Sequence, residues 1–395
     1  MKKPLTPEEN LILQLMESHV SSVKKNEIKT QINLIKDWKK ITSVAVKNGI
    51  APLFFKNIQD LELKDFVPSD VFQKFKNLYI KTYFKNSIKI KEFKQIINEL
   101  NNHKIDFIPL KGIYFITELY GDLGMRTMCD IDFMVRAEDV EKCKELLLKL
   151  GWKIKTIYHT ENIKDLDLFY TPYVFTKDDI MIELHNKLYE IGVDFDVQVE
   201  NLWSKSITKP YLNSSSKQLN LEDLLIHQIL HLYKHFIKGQ PTLKSFVDIT
   251  TLFRKEQKEF NQSHFLELIN QYNCKKEIDL INKILKTFFS IDLYSSIANE
   301  NDENRFDGNF IFRCLINNEP TEAQFYIDKN KISYLSDKKR IQSINGIKDK
   351  IIFISSRTFP NKDFMFKRYN LYRNYQLIFY YPYRVLSILK KENKR

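Results

Sequence analysis

The sequence is poor in the residues that define several large protein classes. Its 395 residues include only nine glycines, eleven prolines and four cysteines. The cysteines are too far apart to form a Cys-x-x-Cys pair, so their spacing gives no indication of a disulfide framework. The scarcity of glycine and proline argues against long low-complexity segments and against glycine-rich loop architectures.

Two nucleotide-binding motifs and two membrane-related features are also missing. The sequence contains no Gly-x-Gly-x-x-Gly, and Lys111 precedes its glycine, whereas the lysine of a P-loop follows one. These absences disfavour dinucleotide oxidoreductases and P-loop ATPases. No apolar stretch reaches the length of a membrane span, and the N-terminal residues do not fit a signal peptide. We therefore expect a cytoplasmic protein without a transmembrane segment.

Positive charge is in excess. Lysine and arginine number 62 against 50 aspartates and glutamates, which gives a formal net charge of +12. Such an excess favours a polyanionic partner, namely a nucleotide, a nucleic acid or an acidic membrane surface. A lysine-rich composition also arises from a biased genome, so both explanations stay open.

The pattern of apolar residues predicts an α+β fold. Residues 1–104 are predicted to be helical, and residues 105–212 to form a small mixed sheet with helices. Residues 218–298 are predicted to be helical and to complete a cleft. Residues 309–395 are predicted to form a C-terminal helical region that is aromatic and basic.

Local signals set the expected boundaries. Polar residues at 213–217 and 299–308 indicate linkers. Thr6 and Glu9 fit a capping box at the start of the first helix. Ser69 or Asp70 is expected to cap a long helix that runs to about residue 101. The apolar residues of that helix are expected to lie in the core, namely Phe72, Phe75, Leu78, Tyr79 and Phe84.

The central region changes from helical to strand periodicity. Strands are predicted at 105–110 and 129–135, and a hairpin is predicted from 169–176 and 180–185. A helix is expected to open at Lys111, directly after the first strand. This order of elements brings several charged residues to strand ends.

The strongest chemical signal is Asp130-Ile131-Asp132. Residues i and i+2 of a strand point to one face, so both carboxylates are expected on the same side. Two adjacent carboxylates repel each other unless a positive group lies between them. Mg²⁺ prefers oxygen ligands and commonly bridges to substrate phosphates, so the pattern predicts a site for Mg²⁺ or Mn²⁺.

Five further residues support a site that handles phosphates. Lys111 and Gly112 lie between a strand and a helix, where a glycine permits close approach and a helix N-terminus attracts anions. Arg126 precedes the second strand and is expected to reach the same phosphates. Glu183 and His185 share one face of a later strand, so Glu183 is a candidate third carboxylate.

A helical face carries three histidines. His227, His231 and His235 are spaced by four residues, and we expect His231 and His235 to contact a phosphate or Asp248. Zinc ligation is the alternative, and it needs a further ligand within reach. Lys244 and Asp248 are also four residues apart, which by itself indicates a surface ion pair.

The segment FIPLKGIYFITELYGDLGMRTMCDIDFMV, at 107–135, resembles the uncharacterised nucleotidyltransferase family of the DNA-polymerase-beta-like superfamily. The resemblance continues through IELHNKL, LEDLLIHQILHLYKHF and LKSFVDITTLF, and covers roughly residues 85–255. Many superfamily members carry Gly-Ser after the first strand, where this chain has Lys111-Gly112-Ile113. The resemblance implies that Lys111 takes over the serine's contact with phosphate.

The resemblance implies a metal-dependent transfer of a nucleoside monophosphate from a nucleoside triphosphate to an acceptor, with release of pyrophosphate. It implies a small mixed sheet of nucleotidyltransferase type, flanked by N- and C-terminal helical regions. Asp130, Asp132 and Glu183 would hold the metal and carry catalysis. The other candidate residues would bind the nucleotide, namely Lys111, Gly112, Arg126, His185, His231, His235, Lys244 and Asp248.

The acceptor is left open as a small molecule, a protein or an RNA. Two alternatives also stay open, namely a catalytically inactive nucleotide-binding module and a toxin-type or tRNA-modifying protein. The aromatic and basic residues at 380–395 suggest contact with an anionic membrane or single-stranded nucleic acid, but we favour a docking helix with a frayed charged end.

Overall fold

The computed structural model describes residues 4–18, 20–155, 172–189, 195–237, 243–294, 346–360 and 362–392, with a few single positions between 312 and 344. As predicted, the fold is α+β, with a five-stranded mixed sheet between two helical regions. None of the described helices is both long enough and apolar enough to cross a membrane.

The N-terminal region is helical, as predicted, and contains five α-helices. The capping box is confirmed, because the Glu9 amide donates to Thr6 Oγ1 over 3.3 Å and the Thr6 amide donates to Glu9 Oε2 over 2.9 Å. The helices are α1 (Pro7–Leu15), α2 (Lys25–Asn33), α3 (Trp38–Lys47), α4 (Ala51–Asp60) and α5 (Ser69–Asn102).

Helix α5 connects two hydrophobic cores. It has 34 residues and is therefore about 50 Å long. Near its start, Phe75 packs edge-on against Phe54 in the helical core. Near its end, Phe93 packs against Phe107 and Phe133 beneath the sheet, with ring centroids 6.0 and 5.5 Å apart. One rigid element thus links the N-terminal helices to the sheet.

Two predictions about α5 were wrong. Pro68 is the residue before the helix, and no side chain caps its first turn, because Ser69 already lies inside the helix. Phe84 is 62% exposed. It falls on the opposite side of the helix from Phe75, which is fully buried.

The main sheet has the strand order β1-β2-β5-β4-β3. Strand β2 runs antiparallel to β1 and parallel to β5, while β4 is antiparallel to both β5 and β3. The strands are β1 (Phe107–Leu110), β2 (Ile131–Val135), β3 (Lys153–Ile154), β4 (Tyr173–Lys177) and β5 (Ile180–His185). Helix α7 (Val140–Lys149) connects β2 to β3.

The two faces of β2 differ as the alternation predicts. Ile131, Phe133 and Val135 pack in the core beneath the sheet. Met134 lies on the other face and belongs to the helical core. Asp132 shares the face of Met134, while Asp130 lies just before the strand begins. The polar face therefore looks toward the helices that follow the sheet.

Residues 213–217 are not a linker, which corrects our prediction. Ser214–Gln218 forms β7, which pairs antiparallel with β6 (Ile207–Tyr211). Leu212 and Asn213 both have positive φ, at 47° and 71°. Such a two-residue turn closes a hairpin whose serines have weak strand propensity, so the pairing is not evident from composition.

The remaining helices follow this hairpin. The stretch predicted as helical, 218–298, contains four described helices, namely α9 (Leu221–Ile237), α10 (Leu243–Glu256), α11 (Gln262–Gln271) and α12 (Lys275–Phe289). Two shorter helices precede them, α6 (Lys111–Phe115) and α8 (Val199–Lys205). The C-terminal helices are α13 (Ile347–Thr358), α14 (Lys362–Tyr369) and α15 (Leu377–Glu392).

Three predictions concern parts of the chain outside or at the edge of the described residues. The linker at 299–308 and the first residues of the predicted hairpin, 169–171, lie outside them. Helix α15 exposes apolar side chains, among them Ile378 and Phe379 at 71% and 70%. Contact of this region with an anionic surface stays a prediction.

Helix α5 also fixes the loop that leads into β2. Asn86 is buried and donates to the carbonyl oxygens of Leu123 and Arg126, over 2.7 and 2.8 Å. Lys89 donates to the Met128 carbonyl oxygen over 2.8 Å. A buried carbonyl without a partner is costly, so these side chains hold residues 121–130 in one conformation. We call this segment the clamped loop.

We expect Asn86→Ala to lower the free energy of unfolding by about 2–3 kcal/mol, because two buried carbonyl oxygens lose their donor. Asn77→Ala is the matched control on the exposed side of the same helix, and it should change stability by less than about 0.5 kcal/mol. Urea unfolding of both variants measures the difference. Equal stabilities would show that α5 does not hold the clamped loop.

Candidate active site

A cavity of about 470 Å³ lies between the sheet and helices α9 and α10. Its volume is in the range of small-molecule sites. The structure brings to this one cavity every residue that the sequence singled out, namely Lys111, Gly112, Arg126, Asp130, Asp132, Glu183, His185, His227, His231, His235, Lys244 and Asp248.

Strand register places the central carboxylates. In the parallel pair of β2 and β5, Asp132 lies beside Glu183. His185 follows Glu183 by two residues and therefore projects from the same face. His185 Nε2 lies 3.0 Å from Asp132 Oδ1 and 3.6 Å from Glu183 Oε2. Three side chains from adjacent strands thus converge on one point.

Lys111 reaches this point from the opposite side of β2. Strand β1 ends at Leu110, which pairs with Asp132, so the next residue leaves the sheet directly beside that carboxylate. Lys111 Nζ is 2.6 Å from Asp132 Oδ1 and 3.7 Å from Glu183 Oε2. Lys111 has a φ of 48°, which is unusual for a residue with a side chain and is typical of functional sites.

Gly112 provides room for close packing. A Cβ at this position would lie 2.9 Å from Arg126 Nη1 and 2.9 Å from Met128 Cγ. Real Cβ atoms do not approach neighbours so closely, so a side chain at position 112 would require the side chains of Arg126 and Met128 to shift. The glycine thus lets Arg126 lie directly on the backbone of α6.

The two aspartates differ in their electrostatics. Burial, followed by the charges of Asp132 and Glu183, raises the pKa of Asp130 to about 6. Asp132 is more deeply buried, which by itself would raise its pKa, yet Lys111 and His185 hold that pKa well below its usual value. The pKa of Lys111 is raised because the attraction of Asp132 and Glu183 outweighs burial. Asp132 is therefore ionised and Lys111 is charged.

Asp132, Glu183 and His185 form a group that fits a metal ion. One ligand atom from each lies within 4.8 Å of the others. Two carboxylates suit Mg²⁺, and the added imidazole is a ligand that Mn²⁺ also accepts. Asp130 lines the same cavity but is not part of this closest group. We expected His185 to bind the nucleotide. Its imidazole instead lies against the carboxylates of Asp132 and Glu183, within the candidate metal group.

Arg126 and Asp248 form a separate buried pair. Arg126 Nε and Nη2 donate to the two carboxylate oxygens of Asp248, each over 2.7 Å, and Tyr120 donates to Asp248 Oδ1 over 2.9 Å. The surface ion pair of Lys244 with Asp248 was therefore a wrong interpretation, because Asp248 is only 3% exposed. Lys244 donates instead to the Thr127 carbonyl oxygen over 3.2 Å.

The histidines of α9 line the opposite wall. His231 and His235 have their Nε2 atoms 3.2 Å apart, and Tyr189 contacts His227 Nδ1 over 2.9 Å. Burial and the charge of Lys111 lower the pKa of His227 to about 3 and that of His231 well below its usual value. Both imidazoles are therefore neutral, and act as dipolar hydrogen-bonding groups.

Several residues that position the site were missed by sequence reasoning. Asn86 and Lys89 lie on α5, about forty residues before the loop that they hold. Tyr120 and Tyr189 supply hydroxyl groups to Asp248 and His227. A polar residue on the apolar side of a long helix is a usable signal for Asn86, whereas the tyrosines are indistinguishable from the many others in the chain.

The comparison with known structures gives a weak similarity. A solution structure of the antibiotic-resistance factor ANT(2'')-Ia aligns with a TM-score of 0.31 and 9% sequence identity. The alignment covers 52% of this chain and 95% of the other. Among proteins of curated function, none matches this sequence.

A family model gives the decisive comparison. The model described as uncharacterised nucleotidyltransferase matches residues 36–290, which is well over half of the chain. The match includes the whole main sheet, the clamped loop and helices α9 and α10, and so contains every residue of the cavity described above. The chain therefore belongs to this family of uncharacterised nucleotidyltransferases.

Proposed function

We propose that the protein transfers a nucleoside monophosphate from a nucleoside triphosphate to an acceptor and releases pyrophosphate, with Mg²⁺ or Mn²⁺ as cofactor. The observation that carries this proposal is the register of β2 and β5, which sets Asp132 beside Glu183 with His185 two residues further on. The carboxylates would bind the metal and the basic side chains would bind the triphosphate. The cavity therefore suits a complex of the two better than it suits either one alone.

Asp130, Asp132 and Glu183 would hold the cation, and His185 is placed to contribute a nitrogen ligand. The cation would supply positive charge at the phosphates and orient the α-phosphorus for attack. All four side chains line the same cavity, and Asp132, Glu183 and His185 each have a ligand atom within 4.8 Å of the other two. The donor set therefore fits a hard divalent ion.

The triphosphate would lie against the cationic wall of the cavity. Lys111 and Lys244 each offer an ammonium group, and Gly112 leaves the backbone of α6 accessible. Arg126 uses two of its nitrogens on Asp248, while Nη1 makes only a longer 3.3 Å bond to the Thr127 carbonyl oxygen. That nitrogen is the donor that we assign to a phosphate oxygen.

In the proposed reaction an acceptor oxygen attacks the α-phosphorus. A bond forms between the two, and the bond from the α-phosphorus to the oxygen bridging to the β-phosphate breaks, so pyrophosphate leaves. Glu183, 23% exposed at the side chain, would alternatively act as the base that takes the proton of an acceptor hydroxyl group. His231 and His235 would bind phosphate or acceptor groups through the nitrogen atoms of their rings.

The first prediction from the proposed function concerns the reaction itself. Purified protein incubated with the four triphosphates, Mg²⁺ and a cell extract should release pyrophosphate and produce acceptors heavier by one nucleotide residue, detected by mass spectrometry. Asp132→Asn should lower the rate by several orders of magnitude. Nucleotide binding without pyrophosphate release in any mixture would favour an inactive binding module. A steep salt dependence of tRNA binding would favour a nucleic-acid partner.

The second prediction separates the two aspartates by their effect on stability without divalent ions. Asp130 has a folded pKa of about 6, above its ordinary 3.8, so its ionisation destabilises the fold increasingly as pH rises from 3.8 to about 6, and by a constant amount above that. Asp130→Asn should therefore raise the free energy of unfolding by about 3 kcal/mol at pH 8 and by about half of that at pH 5.

Asp132→Asn should have the opposite sign. The folded pKa of Asp132 is lowered, so its charge stabilises the protein at every pH above the ordinary value, and the variant should be less stable at pH 8. Both variants should lose most of the rise in melting temperature that Mg²⁺ with a triphosphate gives to the wild type. Stability changes of the same sign in both would contradict this account.

The third prediction concerns Arg126 and Asp248. Arg126→Ala and Asp248→Ala should each lower the free energy of unfolding by about 3–5 kcal/mol, since each leaves a buried charge without its partner. The double variant should lose clearly less than the sum of the two. Lys56→Ala breaks the exposed pair with Asp60 and should cost under about 1 kcal/mol. Strict additivity in urea unfolding would refute the pairing.

A further inference from the structure

Lys111 lies where the divalent cation would be expected. Its ammonium nitrogen is 2.6 Å from Asp132 Oδ1 and 3.7 Å from Glu183 Oε2. These two carboxylates are the oxygen ligands of the candidate metal group, and the third member, His185, approaches the same Asp132 oxygen over 3.0 Å. A positive charge thus already bridges the two carboxylates.

The attraction between Lys111 and Asp132 is strong. Asp132 has a side-chain exposure of 2% and Lys111 one of 19%, so the pair is largely removed from water. A buried carboxylate without compensation is costly, and an ammonium group at hydrogen-bond distance offsets that cost. A divalent ion entering alone would have to displace this charge and leave Lys111 without a partner in a confined cavity.

Two other basic groups of the cavity have different partners. Arg126 is committed to Asp248, and Lys244 donates to the Thr127 carbonyl oxygen. In the described part of the chain, Asp132 forms its ion pairs with Lys111 and His185. The compensation of Asp132 by a full charge therefore depends on Lys111.

We infer that in the nucleotide-free protein the ammonium group of Lys111 occupies the position of a divalent cation between Asp132 and Glu183, so that the metal enters only together with the triphosphate. The phosphates offer Lys111 new negative partners, and its flexible four-carbon side chain can reach them while the backbone stays in place. The inference rests on the proposed function, because it concerns how that site is loaded.

Mn²⁺ binding in the absence of nucleotide tests the inference. The free-ion signal in electron paramagnetic resonance reports binding without any need for activity. We expect weak Mn²⁺ binding to the wild type and at least tenfold tighter binding to Lys111→Met, in which the competing charge is absent. Lys244→Met is the comparison variant, because Lys244 lines the same cavity without pairing to Asp132, and it should tighten Mn²⁺ binding much less than Lys111→Met does.

A second variant guards against misfolding of Lys111→Met. Lys111→Gly also removes the charge, and glycine relieves the backbone at a φ of 48°. In a chelator both Lys111 variants should melt at a lower temperature than Lys244→Met does, and Mn²⁺ alone should restore much of the loss. Adding Asp132→Asn to Lys111→Gly should abolish the tight Mn²⁺ binding.

The outcomes separate this inference from the proposed function. Equal Mn²⁺ affinities of the wild type and both Lys111 variants would overturn the inference, even if Mn²⁺ binds normally together with a non-hydrolysable triphosphate analogue. Tight binding of Mn²⁺ alone to the wild type would overturn it as well. Failure of Mn²⁺ to bind any variant, with or without the analogue, would overturn the proposed function too.

Discussion

The carboxylate of Asp132 is buried and ionised, and much of the site follows from the need to compensate it. Its position is fixed because β2 is an interior strand of the sheet, paired on one side with β1 and on the other with β5. Lys111 directly follows β1, and Glu183 and His185 lie in β5. A charge in such a place is stable only when it is paired and hydrogen-bonded, so the backbone that carries its partners has to be rigid.

The helical regions supply that rigidity from outside the sheet. Helix α5 packs against the sheet through Phe93 and holds the clamped loop through Asn86 and Lys89. The loop in turn carries Arg126, whose pairing with Asp248 ties it to α10. Helix α5, the clamped loop and α10 are thus connected by buried polar contacts, and the last two of them line the cavity.

The cavity contains two buried ion pairs with different roles. Arg126 and Asp248 form a bidentate pair that Tyr120 completes, which suits a structural connection. Lys111 and Asp132 are joined by a single ammonium contact on a flexible side chain, which suits exchange of partners. His227 and His231 on α9 line the same cavity as neutral imidazoles, so they add no charge to that of the lysine, arginine and carboxylate groups.

The sequence by itself determined the α+β class, the capping box at Thr6, the alternation of β2 and the family to which the chain belongs, because these depend on local periodicity and short-range spacing. It also identified most of the charged residues of the cavity, since charged residues at strand ends are conspicuous. Only the tertiary structure decided their partners. Lys111 contacts Asp132 because Leu110, the residue before it, pairs with Asp132 between β1 and β2. Asp248 pairs with Arg126 and not with Lys244, because the Asp248 side chain is buried and points inward. The β6–β7 hairpin and the clamp by Asn86 likewise depend on contacts between residues remote in sequence or weak in local preference, which no local pattern specifies.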